Sequence, residues 1–214
     1  EAEKQLDAVR LQMLKNQINP HFLFNTLNMI ASTAQIEDAG ATEKMITALS
    51  RLFRYNLKST DSVMPLEREL KVVQDYMYLQ RMRFGQRLSC SYDCRPDTLE
   101  VLVPSFALQP LVENALDHGL KNSLKKDKKL TVTVKKEEYM AVDFISIWIE
   151  DNGCGMEKEA VEHLFSVQTS GYGMKNVNDR LRLLYGDNYM LTIDSEPDRG
   201  TTAFVRIPVG GCEL

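Results

Sequence analysis

Apolar or small residues step by three and four along the first part of the chain, at Leu6, Val9, Met13, Leu23, Leu27, Ile30 and Ala34. That spacing is a heptad-like seam and predicts a long helix, interrupted only at Asn16 and Pro20. Gly40 is the expected stop. A second helix carries Met45, Leu49, Leu52 and Phe53 on one side, and Lys58-Ser59-Thr60-Asp61-Ser62 breaks it. Pro65 opens a third, with Glu67 and Glu69 near its positive end and Leu66, Leu70, Val73, Met77 and Phe84 on its apolar face. Long amphipathic helices joined by short turns cannot bury two faces alone. The expected solution is a helical hairpin that dimerises into a four-helix bundle.

The pattern changes near Gly85. Residues 87–94 alternate with a period of two, and 130–136, 144–150, 190–195 and 201–208 also read as strands. Ile145, Ile147 and Ile149 share one strand face. Helices are expected from Ser105 to about Leu120 and over 175–185. Strands interleaved with helices predict an α/β-sandwich layer. The fold class is therefore α+β, with a helical domain over residues 1–85 and an α/β domain over 86–214. The lysine-rich run at residues 125–129 reads as a solvated loop.

Composition narrows the function only a little. Net charge is −4 over 214 residues, so nothing pulls the chain as a whole toward nucleic acid or an anionic membrane. No apolar run reaches the roughly 18 residues of a membrane span. The four cysteines show no zinc-type spacing, and Cys90 and Cys94 are too far apart in an extended stretch to pair. A reducing cytosol is expected. The chain opens at Glu1, within a helical pattern, and reads as a piece of something longer.

The chemistry begins at Pro20-His21. A proline inside a helical pattern removes a hydrogen bond and clashes with the carbonyl four residues back, at about 3 kcal/mol. It lies beside one of three histidines. Imidazole is well suited to accept and hand on a group near neutral pH.

Three glycine segments follow in the second half. Asp151-Asn152-Gly153-Cys154-Gly155 comes straight after a strand. Gly153 and Gly155 let backbone approach a flat ligand, and Asp151 could accept from an exocyclic amine such as that of adenine. Gly171-Tyr172-Gly173 runs into a helix whose free N–H groups suit phosphate. Gly200-Thr201 leads tightly into the last strand. Upstream, Asn114 could offer its carbonyl oxygen to Mg²⁺. No P-loop is present.

In order and context these segments resemble the histidine kinases. Leu108-Gln109-Pro110-Leu111-Val112-Glu113-Asn114-Ala115-Leu116-Asp117-His118-Gly119 resembles their N-box, and Asp151–Gly155, Gly171–Gly173 and Gly200-Thr201 resemble their G1, G2 and G3 boxes. Asn19-Pro20-His21-Phe22-Leu23-Phe24-Asn25 and Arg83-Phe84-Gly85-Gln86-Arg87-Leu88 resemble the LytS/YesM-like group. The resemblance implies a phosphoacceptor bundle followed by a Bergerat-type ATP-binding domain. It implies that His21 accepts the γ-phosphoryl group of ATP, Asn114 ligates Mg²⁺, Asp151 reads adenine, Gly171 and Gly173 shape a lid, and Thr201 supports the adenine end. It also implies a homodimer and a response-regulator receiver domain as partner. The location it implies is the cytoplasmic portion of a bacterial membrane sensor, joined to the membrane only through upstream segments.

Other residues stay open between two roles. Glu113 either orients the metal's water or His21, or forms a surface ion pair. His118 touches phosphate or is satisfied by backbone at a helix end. Arg180 faces phosphate or pairs with a carboxylate. His163 reads as surface or lid packing. Asn25, four residues after His21, shares its helix face and either positions water in a reverse, phosphatase-type reaction or holds the imidazole. Phe22 departs from the commonest histidine kinases, which place an acidic residue there. Two further functions compete: a gyrase-like ATP hydrolase, and a dimer that binds nucleotide only to transmit conformation. Related hydrolases place a glutamate one helical turn before the metal asparagine. Pro110 stands there and cannot serve as a base.

Overall fold

The structure, a computed structural model, describes residues 20–58, 62–139, 141–164 and 172–209. The earlier part of the seam, through Leu6, Val9 and Met13, and its interruption at Asn16 lie outside the described residues. Two compact units result, residues 1–59 and 60–214.

In the first unit, α1 (Pro20–Ile36) and α2 (Gly40–Lys58) form a helical hairpin. Phe24, Leu27, Ala34, Ala48 and Leu52 are buried in it. Arg54 lies over the Phe24 ring, 5.3 Å from its centre. Met29, Ile30, Leu49 and Phe53 stay exposed, so only part of the apolar seam is used within the single chain. The first helix does not stop on Gly40. Asp38 takes the left-handed conformation (φ 55°) and the Ala39 N–H closes onto Ala34 O at 2.7 Å. Asp tolerates that conformation better than most residues. Gly40 instead starts α2.

The second unit is built on a five-stranded sheet in the order β2-β4-β5-β7-β6: β2 (Leu88–Cys94), β4 (Lys128–Tyr139), β5 (Val142–Asp151), β7 (Gly200–Pro208) and β6 (Thr192–Glu196). β2 runs parallel to β4, and the remaining pairs are antiparallel. A separate pair joins β1 (Val63–Pro65) to β3 (Leu102–Pro104). One face of the sheet carries Leu130, Val132, Ile145, Ile147, Ile149, Val205 and Ile207 into a single core. Helices α3 (Leu66–Phe84), α4 (Gln109–Asn114) and α6 (Tyr172–Tyr185) cover it, and a short α5 (Lys158–His163) precedes the last of these.

Two differences from the sequence reading matter for the site. The apolar face of α3 is buried in this core through Leu66, Leu70, Val73 and Met77, so the compact unit begins at residue 60 rather than 86. The helix expected from Ser105 begins at Gln109. Ser105 to Leu108 form a turn with Phe106 at φ 60°. That turn is anchored by the fully buried Glu69, whose carboxylate accepts from the N–H of Phe106 at 2.8 Å and of Leu108 at 3.0 Å. Beyond Asn114 the helix widens into a π-helical segment, Ala115–Leu120, with the Lys121 N–H reaching Leu116 O. Such widening often marks a functional site.

Candidate functional site

Asp151 ends β5 and sits opposite Thr201 of β7. Its side chain is buried, and the Gly153 N–H donates to Oδ1 at 2.7 Å. Burial pushes the carboxyl up to about 6, against the pull of the Gly153 and Thr201 N–H groups and the Lys125 charge. An acid held this way is desolvated but firmly aimed. It faces a cavity of about 340 Å³ whose walls include Leu111, Ala115, Ile149, Met156, Met174, Ile193 and Ala203. Apolar walls with one buried acceptor suit a flat heteroaromatic ring bearing an amine.

Glycines let the surrounding backbone close on that acceptor. A Cβ at Gly119 would stand 2.7 Å from Asp151 Oδ1, and one at Gly153 would stand 2.4 Å from the Gly119 carbonyl. Gly155 has φ +64°, and a Cβ there would collide with Glu196 O at 1.9 Å. Gly200, at φ +115°, meets Asp151 O equally closely. Thr201 Oγ1 lies 2.9 Å from Ser195 Oγ, which also accepts the Met156 N–H at 2.9 Å. Thr201 therefore braces the cavity rim as well as lining it.

Asn114 lies on the same cavity. Its Nδ2 donates to Pro110 O at 2.9 Å, which leaves Oδ1 as the end available to a cation. Among the described residues no group of three His, Cys, Asp or Glu could hold a metal by itself. A single amide oxygen fits Mg²⁺, which takes most of its ligands from water and phosphate. The Glu113 Oε1 accepts from Gln109 Nε2 at 2.8 Å, within the helix. His118 lines the cavity and is exposed, while its carbonyl accepts from Asn122 and from Cys154 Sγ. Gly173 packs on α4, its absent Cβ 3.2 Å from Pro110 Cβ. Arg180 Nη1 donates to Ser105 O, and its guanidinium lies 5.8 Å from the Phe106 ring centre. His163 is exposed at the end of α5. Gly171 lies outside the described residues. In the first unit, Asn25 is exposed on α1, and the His21 side chain lies outside what is described.

Two family models match the chain: "Histidine kinase" over residues 9–88 and "Histidine kinase-, DNA gyrase B-, and HSP90-like ATPase" over residues 104–211. The chain belongs to the sensor histidine kinases. It is similar to the sensor histidine kinase YesM of Bacillus subtilis, at 34% identity over 96% of this chain and 35% of that protein. It is also similar to the sensor protein LytS of Oceanobacillus iheyensis, at 34% identity over 100% of this chain and 37% of that protein. This histidine kinase chain thus spans about a third of the length of the curated relatives it matches. The histidine kinase domain of the Erythrobacter litoralis EL346 blue-light activated histidine kinase shares the fold, with a TM-score of 0.51, 17% identity and 94% coverage of both chains. The chain is a histidine kinase catalytic region of the LytS/YesM group, with the ATP-binding domain of two-component signalling.

Sequence reasoning missed several residues of this histidine kinase site. Glu69 read as a helix-dipole residue and is instead the buried anchor of the turn before α4. The lysine-rich run is not simply solvated. Lys128 is buried, with Nζ donating to Leu120 O and, at 2.6 Å, to Ser123 O. Lys125 turns its ammonium onto main-chain carbonyls beside Asp151. Nothing in the local pattern marks either lysine. Gly119 was within the quoted motif, and its spacing from Asn114 was the available signal.

Proposed function

We propose that this chain carries ATP-dependent phosphorylation of His21 and hands the phosphoryl group to an aspartate of a response-regulator receiver domain. The reading rests chiefly on Asp151 at the floor of an apolar cavity that also presents Asn114. Asp151 accepts from the exocyclic amine of adenine, and the walls exclude water from the ring. Asn114 Oδ1 contributes to Mg²⁺. Bound there, the metal neutralises charge on the phosphate oxygens. Gly173 and the undescribed Gly171 shape the lid, with His118 at the phosphate side. The His21 imidazole nitrogen attacks the γ-phosphorus with its lone pair. The bond to the bridging β–γ oxygen breaks, and ADP leaves.

The hydrolase reading is weaker because Pro110 occupies the turn before Asn114 and its carbonyl already receives the asparagine amide. Glu113, bonded to Gln109, supports the helix geometry next to Asn114. The exposed Met29, Ile30, Leu49 and Phe53 support a homodimer through α1 and α2, completing a four-helix bundle. The chain in this reading is the cytoplasmic part of a longer membrane sensor. None of the helices among the described residues is itself long and apolar enough to cross a membrane.

The test is incubation with γ-labelled ATP and Mg²⁺. Wild type should acquire acid-labile, base-stable label. His21→Gln should acquire none while binding ATP within about twofold of wild type. Label that persists in the variant removes His21 from its role. Phosphate release without protein label would favour hydrolysis. ATP binding with neither would leave the conformational dimer.

A further inference from the structure

The Lys125 side chain does something no lysine in a solvated loop does. Its Nζ donates to Asn152 O at 2.8 Å and to Asp198 O at 2.6 Å, and lies 3.5 Å from Gly153 O. Three main-chain carbonyls therefore converge on one ammonium. Two belong to consecutive residues directly after Asp151. The third belongs to Asp198, which holds the left-handed conformation at φ 61°. Carbonyls aimed at a common point repel one another unless a positive charge sits among them.

The surroundings show that this cage is built rather than incidental. The Lys125 N–H donates to Ser123 Oγ at 3.2 Å, fixing the start of the stem. The side chain of Asn152 spans the same loop, taking the Lys129 N–H at 2.7 Å and giving its amide to Asp127 O at 2.8 Å. From the other side, the Asp198 N–H donates to Cys154 O at 2.7 Å, and the Cys154 N–H donates to Gly119 O at 3.1 Å. Residues 152–154 are thus held between the 123–129 loop and the 196–200 turn, with the ammonium at the junction. The Gly153 N–H that steadies Asp151 Oδ1 belongs to the same held segment.

We propose that Lys125 is a positioning residue for nucleotide binding, its ammonium serving as a built-in monovalent cation that locks the 152–153 peptides and so aims the Asp151 carboxylate into the cavity. The proposal rests on the adenine reading of Asp151. The Lys125 charge also acts directly on the acid, helping to keep it ionised against burial. Lys126 and Lys129 are exposed, and Lys128 sends its ammonium to Leu120 O and Ser123 O instead, so Lys125 is the lysine of the run that reaches the 152–153 carbonyls.

The experiment is Lys125→Ala, titrated calorimetrically with ADP and ATP in choline chloride and again in potassium and ammonium chloride. Wild type is titrated first and must bind ADP; failure there overturns the nucleotide reading itself, not the lysine. The expected result is at least tenfold weaker binding of both ADP and ATP in choline, by the same factor, because the cage lies at the adenine end. Potassium or ammonium, small enough to enter the vacated cage, should restore affinity to within about threefold. Wild type should show no such dependence. The Gly153 amide should lose hydrogen-exchange protection in choline and regain it with the cation. Should Lys125→Ala melt too low for titration, its melting temperature answers the same question: a rise in potassium over choline that wild type lacks supports the proposal. Unchanged ADP affinity, or a loss that neither cation reverses in titration or melting, overturns it.

Discussion

The side-chain amide of Asn114 donates to the carbonyl oxygen of Pro110 at 2.9 Å, one turn back along α4. This contact fixes the amide's orientation before any ligand arrives. A side chain that must choose between two flipped states loses part of its binding free energy in choosing. Here the nitrogen is committed to the helix and Oδ1 is left for the cation. The main-chain carbonyl of Pro110 thus decides which end of the Asn114 amide stays available, whatever side chain stands at that position.

Asn114→Ala should separate metal-dependent from metal-independent binding. ADP affinity measured in EDTA should change by less than about threefold. The gain in affinity on adding Mg²⁺ should shrink at least tenfold, about 1.4 kcal/mol, the scale of one lost charge-assisted contact. Equal losses with and without Mg²⁺ would mean that Asn114 acts on helix structure rather than on the metal.

Asp151 carries opposite consequences for stability and binding. Its folded carboxyl is raised from 3.8 to about 6. The unfolded chain therefore releases this proton first. The group's contribution to stability is fully present below about 3.8 and is lost as pH rises to about 6, by on the order of 3 kcal/mol. Asp151→Asn should raise the melting temperature of nucleotide-free protein at pH 7.5 relative to wild type, with little difference at pH 4. It should at the same time weaken ATP and relax discrimination against GTP. Calorimetry and melting on one preparation test both, and a variant that is less stable at pH 7.5 contradicts the assignment of cause.

ATP binding to wild type should also release protons near pH 6, because an amine donor favours the ionised carboxylate. Titrations in two buffers of different ionisation enthalpy at pH 6 give the number released, and Asp151→Asn should reduce it.

Gly119→Ala should weaken nucleotide binding without unfolding the domain, since the new methyl group would stand 2.7 Å from Asp151 Oδ1. A loss of at least tenfold in ATP affinity is expected. Gly40→Ala is the contrasting control. No atom lies within 4 Å of its Cβ position, and alanine at this first residue of α2 should leave the hairpin's stability within about 0.5 kcal/mol. Circular dichroism melts and ATP titration of the two variants provide the comparison.

Glu69→Gln should destabilise the second unit by about 1–3 kcal/mol, because an amide cannot accept at both ends and leaves a buried N–H of Phe106 or Leu108 unsatisfied. Urea unfolding measures the loss. Hydrogen exchange at those two amides should rise ahead of the rest of the domain.

The parts of the fold legible in the sequence were those with local causes. Ile145, Ile147 and Ile149 alternate because one sheet face is buried, and that alternation is visible in five residues. The glycine segments were legible because close backbone approach demands the residue type itself. Glu69 was not, because its partners lie 37 and 39 residues away and a glutamate in a first helical turn has a sufficient local reason to be there. Lys125 was hidden by its neighbours, since in a run of lysines no position announces that its ammonium has left solvent. The turn between α1 and α2 was misplaced by two residues because Asp38 took the conformation that Gly40 could adopt more easily.

The β1–β3 pair has a mechanical consequence. Ser105 N–H bonds to Ser62 O, Leu66 N–H to Val101 O and Glu67 N–H to Leu99 O, all within 3.0 Å. The chain entering the second unit is therefore riveted to the segment that leads directly into the helix of Asn114. A displacement of residue 62 is therefore passed to residue 105, four residues before that helix begins. Lengthening the chain ahead of residue 59 would leave this linkage untouched, whereas a single residue inserted between 62 and 66 would put the ladder out of step and uncouple the lever from the helix.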